Sequence, residues 1–203
     1  MIDERDIDHV GGLIDAYAAA HPPVGVAEEE PGDGGVPRQL WDGPVNDEGW
    51  VQWRPLPSTL TPEEVAAVEA EAGVEFPPLF RAYLLSRFQL FDQLHSARHD
   101  QVVIMTPVPP DEPLSPLREL FDAWGSLVPA SYLPFALWGD AWGPMCFDLH
   151  HASDGDRPVV WMDHELLVPL AEADRGRREI VGPLARPLYG SFREFLEDVF
   201  PKA

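Results

Sequence analysis

Residues 60–85 read LTPEEVAAVEAEAGVEFPPLFRAYLL, and this stretch decides the fold because it specifies one helix and the start of another. Thr61 suits the N-cap of the first helix, Pro62 suits its first position, and Glu64 completes a capping box with Thr61. Apolar residues then recur at helical spacing as far as Gly73, which favours a C-terminal stop. The stretch therefore predicts a well-defined first helix followed closely by a second.

The remainder of the chain alternates helical patterns with short strand-like runs. The second helix is predicted to begin at residues 77–78, a short helix at Ser115, and a closing helix at a second capping box formed by Ser191 and Glu194. The runs that predict strands are Gln101–Met105, Tyr132–Trp138, Met145–Leu149, Pro158–Met162 and, as a further strand, Glu165–Leu170. Residues 175–178 are predicted to be an exposed basic loop. Short turns between the runs favour an antiparallel meander, so the predicted fold class is α+β, a central antiparallel sheet flanked by helices.

The N-terminal quarter of the chain has a different composition. Residues 6–20 show helical spacing with Asp6 as the N-cap, whereas residues 21–49 are rich in Pro, Gly and acidic residues, which is typical of a linker or mobile arm. The first 50 residues contain 12 acidic and 2 basic side chains, a net charge of −10. We therefore predict two parts, an N-terminal helix with an acidic linker at 1–49 and a folded domain at 50–203.

The whole chain of 203 residues carries 35 Asp and Glu against 14 Lys and Arg, a net charge of −21. Such a charge argues against nucleic acid as a direct ligand and favours a basic protein or a cation. The single cysteine, Cys146, excludes an internal disulfide framework and fits a reducing compartment. The acidic N-terminus is unlike a signal peptide, and the longest uncharged stretch is interrupted by Gly and Pro, so we expect a cytoplasmic protein without a membrane span.

Several stretches, taken in order, resemble the SUKH superfamily, which joins bacterial immunity proteins with the yeast cell-wall-assembly regulator. The stretches that carry the resemblance are Leu60–Val65, Gly73–Leu84, Leu133–Ala136 with Gly139, Asp140 and Gly143, Cys146–Leu149, Pro158–Glu165 and Ser191–Leu196. The resemblance covers roughly residues 50–200. One departure is that residues 86–90 replace the Asn-Gly turn that commonly follows the second helix in that family.

The resemblance implies a small α+β domain without catalytic activity. It also implies an immunity protein that neutralises a basic polymorphic toxin, a nuclease, by occluding its active groove. A regulatory or scaffolding module for a housekeeping partner is the alternative. Under the first hypothesis, we expect that deleting residues 1–49 slows association and weakens its salt dependence without abolishing binding.

The residues themselves provide no catalytic constellation. The chain lacks a G-x-S-x-G elbow, a phosphate-binding loop and an H-E-x-x-H zinc motif. Cys146 alternates with apolar residues in a predicted strand, which favours a buried, inert thiol. His150 and His151 lie near acidic residues, but neighbouring strand residues point to opposite faces, so we predict a solvated strand end and no metal. We expect no cofactor.

Seven residues are candidates for binding a partner. Trp142 and Asp140 lie in the central turn, where Trp142 is the better candidate for an exposed contact. Trp50 and Trp53 lie where the arm meets the domain, and packing at the domain edge is the stronger interpretation for both. The other candidates are Glu69, Glu71 and Glu75, for which a solvated helix face and an acidic patch for a basic partner remain equally open.

Overall fold

A computed structural model of the 203-residue chain describes residues 3–29, 34–151 and 156–201. Eight α-helices are present in these residues: α1 Glu4–Ala20, α2 Pro62–Ala72, α3 Pro78–Ser86, α4 Ser115–Trp124, α5 His164–Leu167, α6 Glu172–Arg175, α7 Arg178–Val181 and α8 Phe192–Val199. The strands are β1 Val24–Val26, β2 Trp50–Gln52, β3 Leu56–Pro57, β4 Arg87–Phe88, β5 Gln93–Ser96, β6 Gln101–Met105, β7 Tyr132–Trp138, β8 Pro144–Asp148, β9 Val159–Trp161 and β10 Arg186–Tyr189. None of the helices in the described ranges has the length and apolar character needed to cross a membrane.

The central sheet has six strands in the order β10-β9-β8-β7-β6-β5, and every neighbouring pair is antiparallel. The α+β class and the antiparallel meander are therefore confirmed. The sheet has more strands than the sequence predicts, because β5 and β10 add one strand at each edge. The two edges are joined by side chains: the hydroxyl oxygens of Ser96 in β5 and Tyr189 in β10 lie 2.7 Å apart.

The first predicted helix is confirmed together with both of its ends. The Glu64 amide donates to Thr61 Oγ1 at 3.3 Å, and the Thr61 amide donates to Glu64 Oε2 at 2.8 Å, which completes the capping box. Gly73 follows α2 with a φ of 68°, a left-handed conformation that a glycine adopts without steric cost. Local chemistry therefore positions α2 and leads the chain directly into α3.

Aromatic side chains fill the space between the sheet and the helices α3 and α8. The Phe80 ring of α3 lies 6.1 Å from Phe135 in β7, 5.2 Å from Phe147 in β8 and 5.8 Å from Phe192 in α8, measured between ring centroids. All four side chains are fully buried. Burial of a phenylalanine contributes roughly 1.5–3 kcal/mol each, so this cluster fixes both helices on one face of the sheet.

The N-terminal helix begins earlier than predicted and packs on the domain. Asp3, and not Asp6, caps α1, because the Asp3 carboxylate accepts a hydrogen bond from the Arg5 amide at 3.0 Å. Val10, Leu13 and Ile14 of α1 are fully buried in the same hydrophobic cluster as α3 and α8. The Asp15 carboxylate also pairs with the Arg87 guanidinium through two hydrogen bonds of 2.6 and 2.9 Å.

The segment predicted to be a mobile arm contributes structure to the domain. Strand β1 pairs with β2 in antiparallel register, and Val36 and Leu40 are buried in the main core. Deleting residues 1–49 would therefore remove core side chains and one strand, so such a deletion does not isolate the acidic charge. The boundary between residues 49 and 50 stays a prediction.

One further local prediction is wrong and another holds only in part. Residues 164–167 form helix α5 in place of the predicted strand, since Asp163 caps it by accepting from the Glu165 amide at 2.9 Å. The predicted exposed basic loop at residues 175–178 is shorter than expected: residues 176–177 connect α6 to α7 and Arg177 is exposed, whereas Arg175 and Arg178 belong to the helices. Arg178 points inward and donates from Nη2 to both Asp148 carboxylate oxygens at 2.9 Å.

Candidate partner-binding surfaces

Cys146 and His151 are two residues whose side chains could support chemistry, and both have structural surroundings. Cys146 is fully buried, and burial raises the pKa of its thiol well above the usual range. The His151 Nδ1 lies 2.8 Å from the Asp148 carboxylate, which Arg178 also covers. Within the described ranges, no three His, Cys, Asp or Glu side chains are grouped so that they could hold a metal ion. Asp154, which the sequence places near these histidines, lies outside the described residues.

Exposed large apolar side chains of the described residues fall into two groups. The first group is Val24, Val26, Val45 and Trp50, on and beside the ribbon of β1 and β2. The second group is Val102, Trp142, Leu166 and Val168, which we call the Trp142 surface. Single exposed apolar residues are ordinary, but adjacent ones on rigid elements mark interaction sites. Both groups are therefore candidate binding surfaces.

The turn between β7 and β8 presents Trp142 to solvent. The Trp142 amide donates to the Trp138 carbonyl at 2.8 Å, and the indole is 49% exposed. Gly139 has a φ of 61°, and the indole lies 3.0 Å from the position that a Cβ would occupy there. One face of the indole therefore packs against Gly139 of the turn, and the other face is accessible to solvent.

Backbone contacts connect this turn to its neighbours on both sides. The Gly139 amide donates to the Val102 carbonyl in β6 at 2.8 Å. The Trp142 carbonyl accepts from the His164 amide and from His164 Nδ1, both at 2.8 Å, and His164 is the first residue of α5. Leu166 and Val168 follow on that short helix and the residue after it. The four apolar residues of the Trp142 surface therefore lie on elements that are fixed to one another.

Acidic side chains accompany the apolar residues of the Trp142 surface. Asp140 and Glu165 are exposed beside Trp142 and Leu166. The Asp100 side chain, in the turn before β6, is 98% exposed. An apolar centre with an acidic margin is suited to a partner whose contact surface is apolar and basic.

The four candidates from the turn and the arm have separate locations. Trp142 and Asp140 lie together on the Trp142 surface. Trp50 is 44% exposed, but it belongs to the other apolar group. Trp53 is only 4% exposed and its ring centroid lies 4.9 Å from that of Phe91, so the indole packs against the core and offers little surface to a partner.

The three glutamates do not form one acidic patch. Glu69 is buried, accepts from Arg81 Nε at 2.6 Å and therefore is not available to a partner. Glu71 accepts from Arg118 at 2.9 and 3.2 Å, and these hydrogen bonds lower the pKa of Glu71. Glu75 is exposed. The solvated-face interpretation thus fits Glu75, whereas Glu69 and Glu71 pair with cations of this chain.

Open clefts flank the pair of Glu71 and Arg118, where α2 faces α4. One, of about 460 Å³, is lined by Leu60, Glu64 and Leu114, among others, and the second, of about 350 Å³, is lined by Phe121 and Asp122, among others. Arg118 borders both clefts. Since its guanidinium already neutralises Glu71, this groove offers less net negative charge than the sequence of α2 indicates.

Sequence reasoning missed most members of the two apolar groups. Leu166 and Val168 were assigned to a strand, although Asp163 before them is an N-cap residue that favours a helix. Val102 could have been found, because it alternates with the buried Val103 in β6. Val24 and Val26 stand in a Pro- and Gly-rich context that gives no strand signal.

The six-stranded meander and its packed helices define the chain as an α+β domain, and its exposed apolar residues with acidic neighbours are candidate contacts for a partner. This chain belongs to the SMI1/KNR4 family (SUKH-1), whose family model matches residues 59–198. The match confirms the resemblance of the chain to the SUKH superfamily. Members of this family are generally non-catalytic binding proteins. A comparison with curated proteins gave no match.

Proposed function

We propose that this protein is a non-catalytic immunity protein, which acts in the cytoplasm by binding a basic toxin. The Trp142 surface carries the proposal, because it places a half-exposed indole and three aliphatic side chains on mutually fixed elements. The net charge of −21 supports a basic partner, and membership of the SUKH-1 family supports a binding role. The toxin that best suits this chemistry is a nuclease, since a phosphate-binding groove is basic.

The mechanism follows from the two kinds of side chain on the Trp142 surface. Asp140 and Glu165 attract the basic groove and orient the encounter, which mainly affects the association rate. The exposed part of the Trp142 indole is then desolvated and lies at the centre of the contact. Its burial mainly affects the dissociation rate. Occupation of the groove excludes the nucleic acid, so no catalytic step is required of this chain.

The binding experiment uses this full-length chain and the purified product of any toxin-like gene that lies next to the gene of this chain. We expect Trp142→Ala to weaken binding by about 30-fold or more, as the loss of a central tryptophan does. Asp140→Asn should slow association at low salt, and Glu63→Gln is its charge-matched control because Glu63 is an exposed carboxylate of α2 outside this surface. Thermal unfolding of each variant verifies that the fold is retained.

Two results would contradict the proposal. One is the absence of binding even at low salt together with no protection of cells that express the toxin. The other is unchanged affinity of a folded Trp142→Ala variant. Capture of a housekeeping protein through the Trp142 surface, with no effect on the toxin, would support the alternative of a regulatory or scaffolding module.

A further inference from the structure

The ribbon of β1 and β2 exposes one apolar face. Val26 lies opposite Trp50 in the antiparallel register, and Val24 lies opposite Gln52. Directly opposed residues point to the same side of a ribbon. Val24 is 62% exposed, Val26 53% and Trp50 44%, whereas the intervening Val51 is buried in the core. We call the exposed side, formed by Val24, Val26 and Trp50 with Val45 beside it, the Trp50 face.

The β2 edge of this ribbon and part of the β1 edge have backbone partners. On one side the Val36 amide donates to the Val26 carbonyl at 2.7 Å. On the other side the Asp42 amide donates to the Gln52 carbonyl and the Asn46 amide to the Trp50 carbonyl, both at 2.8 Å. These contacts occupy the β2 edge and the Val26 end of the β1 edge, so they hold the ribbon in place. The exposed side chains of the Trp50 face remain available for contact with a partner.

The turn before Trp50 adds negative charge beside the apolar face. Asn46 Oδ1 accepts from the Glu48 and Trp50 amides at 3.0 and 2.9 Å, so it fixes the carboxylate-bearing residues 47 and 48 next to the indole. Asp47 and Glu48 are both exposed. The first 50 residues hold only two basic side chains against 12 acidic ones. The face is thus apolar in the middle and acidic at its margin.

We propose that the Trp50 face is a second docking surface, which takes a basic segment of a partner protein that also carries apolar side chains. The apolar side chains pack on Trp50 and the two valines, and Lys or Arg side chains contact the acidic margin and the indole. A second copy of this chain fits poorly, because it would bring the same acidic margin against itself. The face lies outside residues 59–198, the part matched by the family, so it gives this chain a contact separate from the shared domain.

This inference goes beyond the proposed function, because it requires neither the Trp142 surface nor a toxin. It is tested with the full-length chain and a synthetic twelve-residue peptide of alternating Lys and Leu. A Lys–Ser peptide matches its charge without the apolar side chains, and a Glu–Leu peptide matches its apolar side chains with the opposite charge. Binding is followed by NMR at low salt through the Trp50 indole and the methyl groups of Val24 and Val26.

We expect the Lys–Leu peptide to shift these three side chains and to bind at least tenfold more tightly than either control peptide. A Trp50→Thr/Val26→Thr variant, which has a β-branched residue at both positions, should weaken binding measured at the Val24 methyl groups at least tenfold, while Trp142→Ala changes binding measured at those groups less than twofold. Equal binding of the Lys–Ser peptide would overturn the proposal, because charge alone would then explain it. The absence of shifts at Val24, Val26 and Trp50, or dimers that form through this face in sedimentation, would overturn it as well.

Discussion

Asp148, at the end of β8, shows how single residues combine charge with burial in this fold. Its carboxylate is almost fully buried, and it accepts from Arg178 Nη2 at 2.9 Å and from the His150 amide at 3.1 Å. Burial raises the pKa of Asp148, but the hydrogen bonds from Arg178 and His151 outweigh it, so the pKa lies below its usual value. Arg178 also covers the Tyr132 ring at 4.5 Å. The site ties α7 to the sheet.

We predict that Asp148→Asn lowers the free energy of unfolding by about 2–3 kcal/mol at neutral pH, because it leaves the Arg178 guanidinium without its charged partner. Urea denaturation measures the change. The control is the cycle with Arg178→Met: the double variant should lose less than the sum of the two single variants. Strict additivity would show that the contact contributes nothing beyond the separate side chains.

At the level of elements, the turn between β7 and β8 depends on the close approach of two backbones. Gly143 has a φ of 144°, and a Cβ at this position would lie only 2.0 Å from the Met162 carbonyl oxygen. Gly12, in contrast, lies in α1 with open space around the position of its Cβ. The same substitution therefore has opposite consequences at the two glycines.

We predict that Gly143→Ala destabilises the protein by at least about 2 kcal/mol, because strand β8 must separate from residue 162 or the turn must change its conformation. Gly12→Ala is the matched control, and it should stabilise the protein by about 0.5–1 kcal/mol through its better helix propensity. Thermal and urea unfolding compare the two. A neutral Gly143→Ala would mean that the Trp142 turn is not rigid, which would weaken the proposed role of that surface.

The elements show which parts of the fold local sequence determines. The capping box of α2 and the strands β6, β7, β8 and β9 could be predicted, because turn residues and alternation of apolar side chains lie within a few positions of each other. The strand order and the Trp142 turn followed from the same signals. The missed elements depend on distant partners: β10 becomes a strand only by pairing with β9, and residues 21–49 gain structure because β1 pairs with β2 and Val36 packs into the core.

The candidate site was predictable to a smaller extent, for the same physical reason. Trp142 could be chosen because an indole in a Gly-rich turn tends to be exposed. Glu71 could not be excluded from sequence, since its partner Arg118 lies 47 positions away, and Glu69 is occupied by Arg81 in the following helix. Charge along a helix shows where acids are, but pairing across the fold decides which of them remain available.

At the scale of the whole molecule, the net charge of −21 and the buried carboxylates act on stability in opposite directions as the pH falls. As the pH falls toward the ordinary titration range of Asp and Glu, the net negative charge decreases. Self-repulsion then decreases. Asp198 resembles Asp148. Burial alone would raise the pKa of Asp198, but hydrogen bonds from Ser96 and Tyr189 outweigh this effect, so the pKa lies below its usual value. A carboxyl group whose pKa is lower in the folded state than in the unfolded state stabilises the fold at pH values above its unfolded-state pKa. This stabilisation is lost as the pH falls through its folded-state pKa.

We therefore predict a maximum of thermal stability near about pH 5 at low salt, because repulsion between the carboxylates grows as the pH rises above that value, whereas the stability that the lowered pKa values of Asp148 and Asp198 contribute is lost below about pH 4. The melting temperature should rise by about 3 °C between pH 7 and pH 5 in about 20 mM NaCl. In about 500 mM NaCl this rise should largely disappear, since salt screens exposed charges, while the loss below pH 4 should persist because the two aspartates are partly shielded from solvent.

Calorimetry with the Asp148→Asn variant as control separates the two effects, as this variant should lose less stability in acid than the wild type. A melting temperature that falls steadily from pH 7 at low salt would contradict the charge argument, and an acid loss unchanged in Asp148→Asn would contradict the role of the buried carboxylate.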